Sequence, residues 1–187
     1  MKYYYSFYLI FLLSFTSVDE SKKMRWSADR KLTWSDYLAV PDMKSESSAV
    51  TTTSVSCFPL STKGDTVTYR IEALMYKGES WTMFSDTSTN GLMHEQTHFD
   101  ITELYARKLR KEAALIKATR GSELNIEFEK KFRANQDSLH AYQDKYDNET
   151  GFSGRKLVQK QWSQKIEMQL KDSDSFSGIF VKILMVK

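Results

Sequence analysis

The chain has 187 residues, of which 41% are hydrophobic and 27% are charged, a composition typical of one globular domain with a sizeable core. Its formal net charge of +3 is too small to indicate a nucleic-acid partner, and no basic run is interleaved with aromatic residues. Cys57 is the one cysteine, so an internal disulfide is excluded and the fold depends on its core or on a metal.

Residues 1–17, "MKYYYSFYLIFLLSFTS", predict a secretory signal peptide. A lysine near the start precedes an apolar run and then small residues, and the spacing of Ser14 and Thr16 permits cleavage. The apolar run is shorter than the roughly 20 residues that span a bilayer, which favours a cleaved signal over an uncleaved membrane anchor. We therefore expect one mature domain over residues 18–187, periplasmic or secreted, with no stable membrane span.

The next part of the chain predicts antiparallel strands. A short strand is expected at residues 31–33, and the β-branched stretch "SSAVTTTSVSCF" predicts another. Between residues 66 and 77 apolar and polar residues alternate, which predicts a half-buried strand. Its apolar face consists of Val67, Tyr69, Ile71, Ala73 and Met75. "WTMF" begins a further short extended segment.

From about residue 90 the hydrophobic period becomes helical. The first helix is expected over residues 91–119, and "RGSE" separates it from a second helix with Ser122 as N-cap. "DNETGFSG" predicts a loop before a third helix, and the apolar tail "SGIFVKILMVK" predicts either a last strand or a disordered end. The apolar stripes are Leu124, Phe128, Phe132, Leu139, Tyr142 and Tyr146 in the second helix and Val158, Trp162, Ile166 and Leu170 in the third. Strands followed by helices predict an α+β domain.

The segment "HEQTH", from His94 to His98, matches the H-E-x-x-H pattern of zinc hydrolases. Residues four apart lie one above the other on a helix, so the two imidazoles can bind one Zn²⁺. Glu95 lies about 100° around the helix from His94, so it reaches a zinc-bound water rather than the metal. Zinc lowers the pKa of such a water, and Glu95 is expected to take its proton as general base. The alternative is a surface helix that carries two histidines by chance.

Six blocks follow one another in an order that resembles the bacterial domain of unknown function numbered 922. They are "RKLTWSDYLAVPD", the A-x-T of Ala49 to Thr51, "ESWTMF", "LMHEQTHFDITELYARKLR", "YDNET" and a later QxxW. The resemblance spans residues 25–170. It implies an exported, zinc-dependent protease in which His94 and His98 are metal ligands and Glu95 is the catalytic base. The family pattern commonly continues from "YDxET" to x-His-Gly, whereas this chain has Phe152, which does not bind a metal.

A third metal ligand is therefore open, because a catalytic zinc usually has three protein ligands and one open position. Glu149 is the preferred candidate, since an oxygen ligand in a loop can approach the metal. Asp147 in the same loop and His140 are the two other candidates, although His140 lies off the apolar stripe of its helix and is expected to be exposed. Another ligand, or no third ligand, is the remaining alternative.

Two functions follow from these patterns. The first is an exported zinc metallopeptidase with a zincin-like α+β fold that acts on a peptide or protein. An extended substrate would then pair with the strand at residues 66–77 or with "ESWTMF", where Trp81 lies in the core or lines a subsite. The second is a non-catalytic, degenerate binding module of the cell envelope on the same fold. The third ligand is the feature that distinguishes them.

Overall fold

A computed structural model describes residues 22–83 and 89–186, so the predicted signal peptide lies outside the described residues. Antiparallel strands are followed by three helices and a last strand, which confirms the α+β class. The elements are β1 (Lys23–Arg25), β2 (Ala49–Val50), β3 (Thr53–Lys63), β4 (Thr66–Tyr76), β5 (Trp81–Thr82), α1 (Thr89–Ala114), α2 (Gly121–Thr150), α3 (Lys156–Asp172) and β6 (Phe180–Leu184).

Strand β4 is the centre of a four-stranded antiparallel sheet. It pairs with β3 along one edge and with both β1 and β6 along the other. The apolar face predicted for this strand is confirmed, because its five members are all buried against the helices. The suggestion that β4 pairs with a substrate is wrong, since both of its edges are already occupied by neighbouring strands.

The connections of the sheet follow local chemistry. β3 and β4 form a hairpin whose turn contains Gly64 at a φ of +59°, a conformation that glycine adopts without strain. The strand expected at residues 31–33 is absent, and the chain there leads into a 3₁₀ turn, Trp34–Asp36. The Asp36 carboxylate determines this turn, because it accepts a hydrogen bond from the Thr33 amide at 2.9 Å and contacts the Lys77 ammonium at 3.0 Å.

Helix α1 runs through the interior and contacts β4, α2 and α3. It ends at Ala114, five residues before the predicted end at residue 119 (119 − 114). The face opposite the histidines holds a buried ionic network of Glu103, Arg107 and Arg110. The Glu103 carboxylate accepts hydrogen bonds from Arg107 at 2.9 Å and from Arg110 at 2.8 and 3.2 Å, and Arg110 also donates to the Ile71 carbonyl at 2.9 Å.

Helix α2 extends further than the sequence indicated. Its N-cap is Arg120, without a side-chain capping bond, rather than Ser122. Its C-terminus is Thr150, which is fully buried, and the left-handed Gly151 then ends the helix. "DNET" therefore lies on a helix and not in a loop, which decides the directions of its side chains.

Helix α3 and β6 complete the domain. The stripe of α3 packs in the core as predicted, with Trp162, Ile166 and Leu170 buried. The tail forms β6, so the strand alternative is confirmed. Within residues 22–83 and 89–186, none of the helices combines the length and apolar character that a bilayer span requires.

Candidate metal centre

The two histidines of "HEQTH" meet a carboxylate from the neighbouring helix. His94 and His98 lie one turn apart on α1, and their Nε2 atoms are 3.1 Å from each other. The Asp147 Oδ1 atom on α2 lies 3.1 Å from the His94 Nε2 and 2.9 Å from the His98 Nε2. Among the described residues, these three side chains form a cluster that could hold a metal ion.

The structure does not bring the other two ligand candidates to this cluster. Glu149 is two residues beyond Asp147 on the same helix, which turns its side chain about 200° away. The Glu149 Oε2 atom accepts a hydrogen bond from the Trp162 Nε1 at 2.8 Å, and its Oε1 lies 3.7 Å from the Lys145 ammonium. His140 is exposed on α2, as predicted. Asp147 is therefore the third group at the centre.

Gln143 determines which nitrogen of His98 carries a proton. The Gln143 amide nitrogen donates to the His98 carbonyl at 3.0 Å, so the amide oxygen faces the His98 Nδ1 at 2.5 Å. Because that oxygen is an acceptor, the Nδ1 carries the proton. In the neutral ring the Nε2 lone pair then points toward Asp147, which is the tautomer of a metal-binding histidine.

The His98 Nε2 lone pair and the Asp147 carboxylate repel each other unless a proton or a metal cation lies between them. Burial of the His98 ring lowers its pKa, but the hydrogen bond to Asp147 and the negative charge of Glu95 raise it further, so the net pKa lies above the ordinary value. Burial raises the pKa of Asp147, but its hydrogen bonds to both histidines outweigh that effect and hold the pKa well below its usual range. The site thus attracts either a proton or a metal cation.

His94 is the most enclosed member of the cluster. The residue is 6% exposed, and its ring stacks on the Tyr146 ring, with the centroids 4.7 Å apart. The Tyr146 hydroxyl donates to the His94 carbonyl at 3.3 Å. The His94 Nδ1 is buried and has no hydrogen-bond partner within the described parts of the chain. The packing against Tyr146 rather than a hydrogen bond at Nδ1 therefore orients this ring.

Glu95 lies beside the cluster without joining it. Its Oε2 accepts a hydrogen bond from the Thr51 hydroxyl at 2.5 Å, and the Thr51 oxygen contacts the Tyr37 hydroxyl at 2.7 Å. Because Thr51 has one hydroxyl proton and gives it to Glu95, Tyr37 is the donor in the second bond. Sequence reasoning missed both roles, since the contact between Thr51 and Glu95 joins residues 44 apart. The one signal was that both residues lie in blocks that carry the family resemblance.

Asp100, which lies on the same helix as both histidines, contacts neither of their rings and has other partners. Its Oδ1 accepts hydrogen bonds from the Trp26 indole and the Gln96 amide, both at 2.7 Å. It therefore anchors the segment that follows β1 and does not orient the cluster. Trp81 is 9% exposed and belongs to the core, so it does not line the site.

A groove of about 470 Å³ opens over the cluster. One side of its lining is the segment that leads into and through β2, and another is the turn after α2. Its lining residues are Glu46, Ser47, Ser48, Ala49, Val50, Thr51, Gly91, His94, Glu95, His98, Asp147, Phe152 and Ser153. The candidate base and all three members of the cluster are therefore accessible from one cavity.

The donor set fits a zinc ion. Zinc binds imidazole nitrogens and carboxylate oxygens, and two tetrahedral ligands at about 2.0–2.1 Å from it lie about 3.3 Å apart. The three atom pairs of the cluster are separated by 3.1, 3.1 and 2.9 Å, close to that value. Gln143 supplies the acceptor that a zinc-binding histidine usually has on its other nitrogen.

These features define an α+β protein with a two-histidine, one-aspartate centre beneath an open groove. Residues 66–154 match the model of the family described as "Bacterial protein of unknown function (DUF922)". The match confirms the resemblance over these residues, which include every member of the cluster. Comparisons with curated proteins and with solved structures give no match.

Proposed function

We propose that the protein is an exported zinc-dependent metallopeptidase of zincin-like architecture. In this proposal His94, His98 and Asp147 hold the metal and Glu95 is the general base. The observation that carries it is the approach of two imidazole nitrogens and one carboxylate oxygen to within 2.9–3.1 Å of one another. A helix with this motif beside an antiparallel sheet supports the architecture.

In this proposal the metal and the residues beside it have different chemical roles. Zinc, when bound, supplies a Lewis acid that polarises a carbonyl oxygen and lowers the pKa of a water. Glu95 accepts the proton, since its Oε1 receives no hydrogen bond from the part of the chain that the structure describes. Thr51 fixes the other oxygen of that carboxylate, and Tyr37 in turn fixes Thr51.

The groove offers a backbone edge to an extended peptide. β2 pairs with β5 on one side, where the Met83 amide donates to the Ser48 carbonyl at 2.7 Å. Hydrogen-bonding groups of an antiparallel strand alternate, so the backbone groups of Ala49 and Thr51 face away from β5. In residues 22–83 and 89–186 nothing bonds to them. A peptide added as a further strand places its carbonyl groups beside the centre.

The first test is zinc content. We expect about one zinc per chain in the wild type and loss of zinc in Asp147→Ala. Glu149→Ala is the matched control, because it removes a carboxylate from the same helix without touching the cluster, and it retains zinc. Mass spectrometry of the intact protein under native conditions measures both. Absence of zinc from the wild type after supply at neutral pH, or loss only in Glu149→Ala, contradicts the proposed centre.

The second test separates catalysis from binding. Glu95→Gln is expected to keep zinc and to abolish cleavage of a quenched-fluorescence peptide library, since Gln accepts no proton at neutral pH. A variant that binds zinc and cleaves like the wild type contradicts the role of Glu95. Zinc binding without any wild-type cleavage favours the envelope binding module. The mass of the protein recovered from a bacterial envelope fraction tests the export signal.

A further inference from the structure

The turn after α2 places an exposed aromatic ring at the metal centre in a strained conformation. Phe152 has a φ of 50° and Ser153 a φ of 72°, so two consecutive residues with side chains occupy the left-handed region. This region is unfavourable for residues with a Cβ, and Gly151 precedes them in the same region. Strain of this kind persists where the surroundings impose it, and it concentrates at functional sites.

Hydrogen bonds impose this conformation on the turn. The Phe152 amide donates to the Asp147 carbonyl at 3.0 Å, and the Asn90 side-chain amide donates to the Ser153 carbonyl at 2.8 Å. The buried Gln159 in turn donates to the Asn90 carbonyl at 2.9 Å. The backbone of the turn is therefore held to both helices that build the centre, and Phe152 is held on the groove side with it.

Packing does not account for the ring. Phe152 is 68% exposed, so the fold gains little from its burial. It lines the same groove as His94, His98 and Asp147. The other apolar side chains among the described lining residues, Ala49 and Val50, are small. A ligand that fills the groove can thus bury one large apolar surface of the protein, and that surface belongs to Phe152.

We propose that Phe152 is a specificity-determining residue, which binds an apolar or aromatic side chain of an extended peptide in the groove over the cluster. This inference rests on the proposed function in assigning the groove to a peptide, but it does not require the metal to be present. Ring contacts favour an aromatic partner through offset or edge-to-face packing. The strained turn is the structural cost of holding the ring in solvent until such a partner arrives.

The test uses two acetylated, amidated pentapeptides that are glycine except for a central phenylalanine or alanine. Their dissociation constants are measured by NMR titration of the wild type, Phe152→Asn and Ile126→Asn, each with and without supplied zinc. Asn tolerates the left-handed region, and Ile126 is equally exposed at 68% but lies on α2 outside the groove lining. We expect the wild type and Ile126→Asn to bind the phenylalanine peptide about fivefold to tenfold more tightly than the alanine peptide. Phe152→Asn is expected to bind the two peptides about equally.

Equal binding of the two peptides to the wild type, absence of binding, or a preference that persists in Phe152→Asn overturns the inference. The midpoint of thermal unfolding provides a second readout. It is expected to stay level or rise in Phe152→Asn, because strain is relieved and little packing is lost, whereas a clear fall indicates a purely structural ring. If the wild type binds no zinc but keeps the preference, the metal proposal fails and the assignment of Phe152 stands.

Discussion

Replacing Glu103 by Gln tests whether the buried ionic network holds α1 in place. The substitution keeps the side-chain shape but removes the counter-charge of Arg110, whose side chain is 1% exposed. Arg107, whose side chain is 5% exposed, keeps the carboxylate of the exposed Asp174 at 3.6 Å as an acidic partner. The amide N–H group of the glutamine would also face the arginine donors that, in the wild type, contact the carboxylate at 2.8–3.2 Å. Breaking a buried pair by removing one partner costs about 3–5 kcal/mol. With a urea slope of about 2 kcal/mol/M, the unfolding midpoint should fall by about 2 M.

The matched control for this experiment is Glu129→Gln. Glu129 pairs with Arg133 at 2.7 Å, also four residues apart on a helix, but their side chains are 54% and 76% exposed. An exposed pair of this kind contributes about 0.3–0.5 kcal/mol, so the control midpoint should change little. Urea unfolding followed by circular dichroism measures both variants. A midpoint shift in Glu103→Gln no larger than that of the control would refute the role assigned to the network.

Two further predictions concern the buried carboxylate of Asp36 and the contact of Gln143 with the cluster. Burial raises the pKa of Asp36, but hydrogen bonds from Arg30, the Thr33 amide and Lys77 outweigh it and hold the pKa well below its usual range. A carboxyl group whose pKa is lower in the folded state stabilises the protein at pH values above its unfolded-state pKa. Asp36→Asn should therefore cost about 2 kcal/mol of stability at pH 7 and progressively less below about pH 4. A difference in urea midpoint between wild type and variant that is the same at pH 7 and pH 3 contradicts this prediction. Gln143→Leu removes the acceptor at His98 and should weaken zinc binding about 10- to 100-fold, while leaving the unfolding midpoint of the metal-free protein close to that of the wild type. Competition with a chromophoric chelator measures the affinity, and an unchanged value contradicts the orienting role.

Features with a local period could be predicted from the sequence. The spacing of four between His94 and His98 places both rings on one helix face, whatever surrounds the helix. The alternation along β4 correctly identified its buried face. The pattern did not show that β4 is central, because a half-buried central strand and a half-buried edge strand alternate in the same way. Its neighbours β1 and β6 come from opposite ends of the described chain.

The choice among the candidates for a third ligand depended on where α2 ends. Asp and Asn in "DNET" favour turns, which led to the prediction of a loop, but Tyr146 and Thr150 are both fully buried and continue the helix. Once the helix includes these residues, Gln143 and Asp147 lie one turn apart on one face and Glu149 lies on another. The stabilisation from burial at the end of the helix thus outweighed the local turn propensity. The local sequence does not show this burial, because it depends on the rest of the fold.

The segment from Tyr146 to Ser153 joins the centre to the groove in a single stretch of chain. Tyr146 orients the His94 ring, Asp147 contributes its carboxylate to the cluster, and the carbonyl of the same Asp147 accepts the hydrogen bond from Phe152. A shift of this helix end therefore moves a candidate ligand and the exposed ring together. Because the left-handed Gly151 is the residue that allows the chain to turn here, its backbone conformation connects ligand geometry with the shape of the groove. The two properties are therefore expected to change together when this turn is altered, even though Asp147 is the one residue of this segment that we propose as a metal ligand.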